Sequence, residues 1–180
     1  MTAMGGKGTR TRALAADLLD FRPEGYKHRM LKRLAKLLTG GVKAIQALEL
    51  AWARAAQGRW SEADDALLNG FELLGLTPPD GRADFQMNLL YLQIRYFRGL
   101  RDGVDEGFST SLNQISSGKV DKQPDIRNYL ITYMASLADA FFESGALSDA
   151  RQEQIQAATK DRRFDCRRVP GYLKSRYPIS

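Results

Sequence analysis

The residues best suited to chemistry in this chain are few and scattered. Gly5-Gly6-Lys7-Gly8-Thr9 has the glycine and lysine content of a phosphate-cradling loop, but lacks the Gly-Lys-Ser/Thr order, and no strand pattern precedes it. His28 is the sole histidine, so a histidine-rich metal site is excluded and a Ser-His-Asp set would hang on one residue of a basic helix. Cys166 is the sole cysteine and has no partner for a disulfide or a multi-cysteine metal site. It lies in Arg162-Arg163-Phe164-Asp165-Cys166-Arg167-Arg168, a basic setting that suits a reactive thiol, although a single cysteine in a basic tail is usually incidental. Carboxylates cluster at Glu62, Asp64 and Asp65 and again at Asp139 and Glu143. Paired carboxylates do acid–base work when their surroundings separate their pKa values. The first cluster opens a helix, where the dipole accounts for it. The second lies beside Phe141 and Phe142 and would offer an acidic spot to a basic partner. No convergent catalytic set results. The expectation is a protein that is not an enzyme and uses neither cofactor nor metal.

Charge points to binding. Residues 1–40 carry a net +6, residues 41–159 a net −5, and residues 160–180 a net +5. Basic ends on an acidic body suit nucleic acid, an acidic protein or a membrane surface, and equally serve to neutralise the body. In the last segment, Arg162, Arg163, Arg167, Arg168, Lys174 and Arg176 alternate with Phe164, Tyr172 and Tyr177, a combination that contacts phosphates and stacks on bases. The competing reading packs these aromatics over the preceding helices as a cap, with Pro170, Gly171 and Pro178 preventing one long helix.

These residues must be positioned by helices. At 180 residues the chain suits one domain. No apolar run reaches the roughly 18 residues of a membrane span, and the N-terminus has no apolar signal core, so a cytoplasmic protein is expected. Residues 1–10 read as a disordered basic terminus and 11–180 as a single helical domain. Its first part, 11–39, holds a short helix over 11–20 and a basic amphipathic helix over 26–39, with Met30, Leu31, Leu34, Leu37 and Leu38 on one face. From residue 42 the pattern is helix, turn, helix, without any strand-like alternation. The predicted class is all-α, as stacked antiparallel hairpins or a compact bundle. The hairpins are 42–75, 82–117 and 125–159, followed by the basic segment 160–180.

The turns superpose. Gly58-Arg59-Trp60-Ser61-Glu62-Ala63 aligns with Asp102-Gly103-Val104-Asp105-Glu106-Gly107 and with Gly145-Ala146-Leu147-Ser148-Asp149-Ala150. The apolar anchors Trp60, Val104 and Leu147 stand 44 and 43 residues apart. Gly or Asp permits the reversal, the anchor staples the next helix, Ser61, Asp105 and Ser148 cap it, and the following acid meets its dipole. The register extends outward. Leu50, Ile94 and Leu137 lie ten residues before the anchors, and Ala47, Tyr91 and Met134 thirteen before. Leu68, Leu112 and Ile155 lie eight after, and Phe71, Ile115 and Ala158 eleven after.

This turn resembles that of tetratricopeptide (TPR) repeats over about residues 42–159. Gly58, Trp60 and Ala63 stand where that family prefers glycine, an aromatic and alanine, and Gly145 and Ala150 match in the third hairpin. The period departs from the family's roughly 34 residues. The resemblance implies a groove lined by the first helix of each hairpin. Its groove-facing positions would be Leu48, Trp52 and Ala55, then Leu92, Tyr96 and Gly99, then Ala135, Asp139 and Phe142. Trp52, Tyr96 and Phe142 are anchors of a type enriched at hot spots, or else ordinary core aromatics. Arg54 and Arg98 share one repeat position, where they line the groove or pair with carboxylates. The expected partner-binding residues are Trp52, Tyr96, Arg98, Asp139 and Phe142. The expected function is a non-enzymatic protein-binding module: an adaptor, a chaperone-like protein or a toxin-neutralising immunity-type protein. Nucleic-acid association through the basic ends is the alternative, and self-association is a further partner reading.

Overall fold

One device ends five helices. In the computed structural model, which describes residues 41–179, Gly58, Gly75, Gly99, Gly118 and Gly145 have φ between +66° and +72°. Each glycine amide donates to a carbonyl three residues back, and the next amide reaches five back, as Ala146 N does to Phe141 O at 2.9 Å. This closure satisfies the last carbonyls of a helix, and an L side chain would strain it. The readings made for residues 1–10, for helices over 11–39 and for His28 lie outside the described residues.

Among the described residues there are seven α-helices. A helix covers residues 41–56 (α1). It is followed by α2 (Trp60–Leu73), α3 (Phe85–Phe97), α4 (Val104–Ser116), α5 (Pro124–Glu143), α6 (Asp149–Thr159) and α7 (Gly171–Arg176). A single 3-10 turn, Cys166–Arg168, precedes α7. No strand occurs among the described residues. The protein is all-α, and its body is three consecutive helical hairpins, α1–α2, α3–α4 and α5–α6. First helix packs on first helix (α3 on α5) and second on second (α4 on α6), while α2 also packs on α3.

Turn chemistry departs from the sequence expectation at two places. Trp60 and Val104 are themselves the first helical residues, so Arg59 and Gly103 occupy the caps and Ser61 and Asp105 lie inside their helices. Only Ser148 caps as expected, accepting from Arg151 N. In the second hairpin the residue that ends the first helix is Gly99, not Asp102. Its turn, residues 98–103, is correspondingly longer than the turn at 57–59.

The core runs through all three hairpins. Leu67, Phe71, Phe85, Leu89, Leu90, Ile94, Phe108, Leu130, Ile131 and Met134 are all fully buried. The repeat register holds for Ala47, Tyr91, Met134, Ile94, Leu137, Phe71 and Ile155, which are buried. It fails for Leu50 and Leu68, which are exposed on the first hairpin. Close approach within the second hairpin depends on Gly107, where a β-carbon would stand 2.7 Å from Leu92 Cδ2. Gly107→Leu should therefore destabilise the chain by about 2 kcal/mol or more through overpacking, read as a lowered thermal midpoint.

One exposed link joins the second and third hairpins. Arg151 grips Asp105 with Nε at 3.1 Å from Oδ1 and Nη2 at 2.9 Å from Oδ2. The hydrogen-bonded guanidinium holds the Asp105 carboxyl below its ordinary range. Its contribution is complete above the carboxyl's unfolded value, near pH 4, and fades as pH falls through the lower folded value. Asp105→Asn should remove that part of the acid sensitivity, with a loss at neutral pH of at most about 1 kcal/mol for so exposed a pair. Urea titrations at pH 7 and pH 3 measure both.

Candidate functional site

The C-terminal segment returns across the first helix of every hairpin. It starts on α5. Phe164 packs edge-on against Tyr129 with ring centroids 5.3 Å apart, Asn128 Nδ2 donates to Arg163 O at 2.8 Å, and Asp165 N donates to Asp125 Oδ1 at 2.9 Å. Val169, Leu173 and Tyr177 recur every four residues, on one face, and all three are buried. Tyr177 is fully buried and ties three helices together. Trp52 Nε1 on α1 donates to its hydroxyl at 3.1 Å, the hydroxyl donates to Gln86 O on α3 at 3.0 Å, and Tyr129 Oη on α5 donates to its carbonyl at 2.6 Å. Its ring also lies 5.1 Å from that of Tyr133. Burial pushes the Tyr177 phenol far above its ordinary range, so it stays a neutral donor at any physiological pH.

Beside Tyr177, Arg176 lies over the indole of Trp52 at 4.1 Å from the ring centroid and over Tyr172 at 5.2 Å. It pairs with Glu49 at 2.6 Å, while Gln93 Nε2 donates to its carbonyl at 3.2 Å. Two open hollows flank this stack. One, of about 410 Å³, has Trp52, Trp60, Phe97 and Tyr172 as aromatic walls and Ala53, Ala55 and Ala56 as small neighbours. Gln93 lines it too. That side chain is buried, and its Oε1 has no hydrogen-bond partner. The other hollow, of about 490 Å³, is lined by Ile45, Leu48, Met87 and the far side of Trp52 and Arg176.

An aromatic ladder leads away from the first hollow. Trp60 and Phe97 stack at 4.2 Å, Tyr96 meets Phe97 edge-on at 5.3 Å, and Tyr96 meets Phe141 at 5.4 Å. This ladder links the three hairpins at their turn ends. Its outer members are unusually open for aromatics, with Phe97 at 52% exposure and Tyr96 at 38%.

The partner-binding residues expected from sequence are placed as follows. Trp52 is half-buried beneath Arg176, and Tyr96 is on the ladder. Phe142 is exposed next to the ladder's Phe141. Arg98 pairs with the buried carboxylate of Asp64, as Arg54 pairs with Glu62 at 3.4 Å. Asp139 accepts from the buried Gln152. Of the other positions assigned to the groove, Leu48, Ala55 and Leu92 are buried, Ala135 is half-buried and Gly99 is exposed. The structure thus gathers Trp52, Trp60, Tyr96, Phe97 and Tyr172 along one hollow and its edge, and engages Arg98 and Asp139 in structural contacts. Phe97 and Gln93 had no individual signal in the sequence, whereas Tyr172 and Tyr177 stood out as aromatics of the basic segment, for base stacking or for a cap over the preceding helices.

The basic residues expected to meet nucleic acid are mostly engaged. Arg162 donates to Ala158 O and Asn128 Oδ1, Arg167 pairs with Asp165, Arg168 with Asp125 and Asp165, and Lys174 with Cys166 O. Arg176 is held by Glu49, and Arg163 is exposed. Among the described residues no group of three His, Cys, Asp or Glu side chains is arranged to hold a metal, and no helix is long and apolar enough to cross a membrane. No protein-family model, curated protein or solved structure matches this chain.

Proposed function

We propose that this chain is a non-enzymatic protein-binding module, of adaptor, chaperone-like or immunity type, that holds a partner segment on the face made by the first helices of its hairpins. The observation that supports this reading is the hollow walled by Trp52, Trp60, Phe97 and Tyr172, continued by the exposed edge of Tyr96. Aromatic walls with a few fixed polar groups suit side-chain anchors of another protein, because large rigid rings contribute contact area at little entropic cost. The TPR-like turn chemistry is in keeping with such a surface. Nucleic-acid contact through the C-terminal segment has less support, since five of the six basic side chains put forward for it already meet carboxylates or carbonyls of the chain.

Phe97→Ala is the cleanest probe. Phe97 is more than half exposed and makes none of the hydrogen bonds that hold the C-terminal segment. It should cost little more than its stacking on Trp60, about 1 kcal/mol, while weakening partner capture at least tenfold. Affinity capture from the native host with the wild-type chain, Phe97→Ala and Tyr96→Ala as baits, quantified by mass spectrometry, checks this. Equal recovery of the same partner by all three would remove the hollow as the binding site. Trp52→Ala is a poorer probe, because it also strips the donor to Tyr177 and the ring beneath Arg176.

A further inference from the structure

The chain's last residues are held by its body as a ligand would be. A short helix presents Leu173, Arg176 and Tyr177 to one surface, and each is read by different chemistry. Leu173 enters the apolar core, Arg176 receives an indole face and a carboxylate, and the Tyr177 hydroxyl receives both a donor and an acceptor. The backbone is read as well, by Gln93 on the carbonyl of Arg176 and by Tyr129 on that of Tyr177. The helix itself, Gly171–Arg176, is six residues long and starts directly after Pro170. A helix this short does not persist alone in water, so the surface beneath it imposes its form.

Three further observations describe how this occupant is fitted and joined. It covers the middle of the face and, through Tyr172 and Arg176, walls a hollow on each side. It leaves one buried acceptor, Gln93 Oε1, unused. And it follows α6 through Lys160, which is extended, and Asp161, whose φ of +60° is a left-handed conformation uncommon outside glycine, before residues 163–165 dock on α5.

We propose that the face of α1, α3 and α5 is a recognition surface for a short helix with Leu, Arg and Tyr at positions i, i+3 and i+4, and that residues 169–177 are its resident competitor. A protein partner bearing that pattern takes the place of the C-terminal segment, which swings away about Lys160 and Asp161 as Arg163, Phe164 and Asp165 release α5. This deepens the protein-binding reading and rests on it: the partner's helix replaces Tyr172 beside Trp52, Trp60 and Phe97, and the proposal supplies the chemistry of the partner and a reason for residues 169–177 to lie there in the free chain. Competition in cis sets the threshold, because a tethered segment acts at high effective concentration and only a well-matched or multivalent segment displaces it.

The probe is a synthetic peptide of residues 166–180, with Cys166→Ser, added to the full-length chain. Of the chain's two tryptophans, Trp52 stands on the face and Trp60, at the start of α2, borders the hollow beside it, so intrinsic fluorescence reports occupancy there. Full-length Tyr177→Ala, whose own end is a weaker competitor, should bind the peptide at least tenfold more tightly than the wild type. A peptide with Leu173→Ala and Tyr177→Ala should bind neither. Equal binding to both chains, or no binding to a Tyr177→Ala chain that keeps its helical circular dichroism, would overturn the proposal. Should that variant fail to fold, hydrogen exchange on the wild type decides. Amides of 172–177 must exchange through an opening that leaves α3 and α5 protected, and exchange as slow as that of α3 and α5 refutes a hinged end. The Phe97→Ala capture experiment is separate. Loss of capture there, with no peptide binding here, keeps the module and rejects the resident competitor.

Discussion

Tyr177→Ala is expected to lower unfolding stability by about 3–5 kcal/mol, seen as a reduced urea midpoint. The ring is fully buried between helices of all three hairpins, and its removal leaves a cavity that α1, α3 and α5 cannot close together. Two half-buried partners lose their bond as well, the indole N–H of Trp52 and the carbonyl of Gln86. Tyr177→Phe separates these contributions. It keeps the ring and strands only the two partners, so it should cost about 1–3 kcal/mol. The loss is bounded by the free energy with which the whole C-terminal segment docks. Adding Leu173→Ala to Tyr177→Ala should therefore cost clearly less than the sum of the two single losses. A Tyr177→Ala loss below about 1 kcal/mol would show that this end does not anchor the hairpins.

Arg98→Ala is the second large effect, expected at about 2–3 kcal/mol. Asp64 is 4% exposed, and its partner in the structure is the Arg98 guanidinium, across the contact between the first and second hairpins. Removing the arginine leaves a buried carboxylate without its counter-charge. The arginine side chain itself is about one-third exposed, so water screens part of the penalty and the effect falls below that of a fully enclosed pair. The double variant Asp64→Ala with Arg98→Ala should be more stable than Arg98→Ala alone, since it removes the stranded charge as well. Urea unfolding of the wild type, both single variants and the double variant completes the cycle. An Arg98→Ala loss within 0.5 kcal/mol, in the range of an ordinary surface change, would mean that the carboxylate is hydrated in solution.

The local features of the fold were legible because they rest on neighbours in sequence. Helical periodicity and the absence of strand-like alternation were enough for the all-α class, and the hairpin boundaries followed from glycine turns that need a left-handed residue whatever surrounds them. Gly58 and Gly145 act as their positions suggested. Asp102 was aligned with them by motif spacing, but the chain reverses at Gly99, because the left-handed turn there could be completed three residues earlier. Ser61 and Asp105 had the right chemistry to cap, yet helix packing lets each helix begin one residue sooner, at its apolar anchor. The pairing of Arg54 with Glu62 could be anticipated from one short turn, whereas that of Arg98 with Asp64 spans two hairpins.

The candidate site belongs to the other kind of information. Trp52 and Arg176 were assigned on sequence to two different partners, a protein and a nucleic acid, and the folded chain places one on the other. Local pattern specified a run of helices, an aromatic-rich face and a basic end. Only the tertiary structure decided that the end lies across that face, that Tyr177 enters the core beneath it, and that Phe97 and Tyr96 stay open beside it. The physical reason is distance along the chain. Contacts between residues 52 and 177 leave no periodic trace at either end, and whether an aromatic on an amphipathic helix is covered depends on which distant segment reaches it.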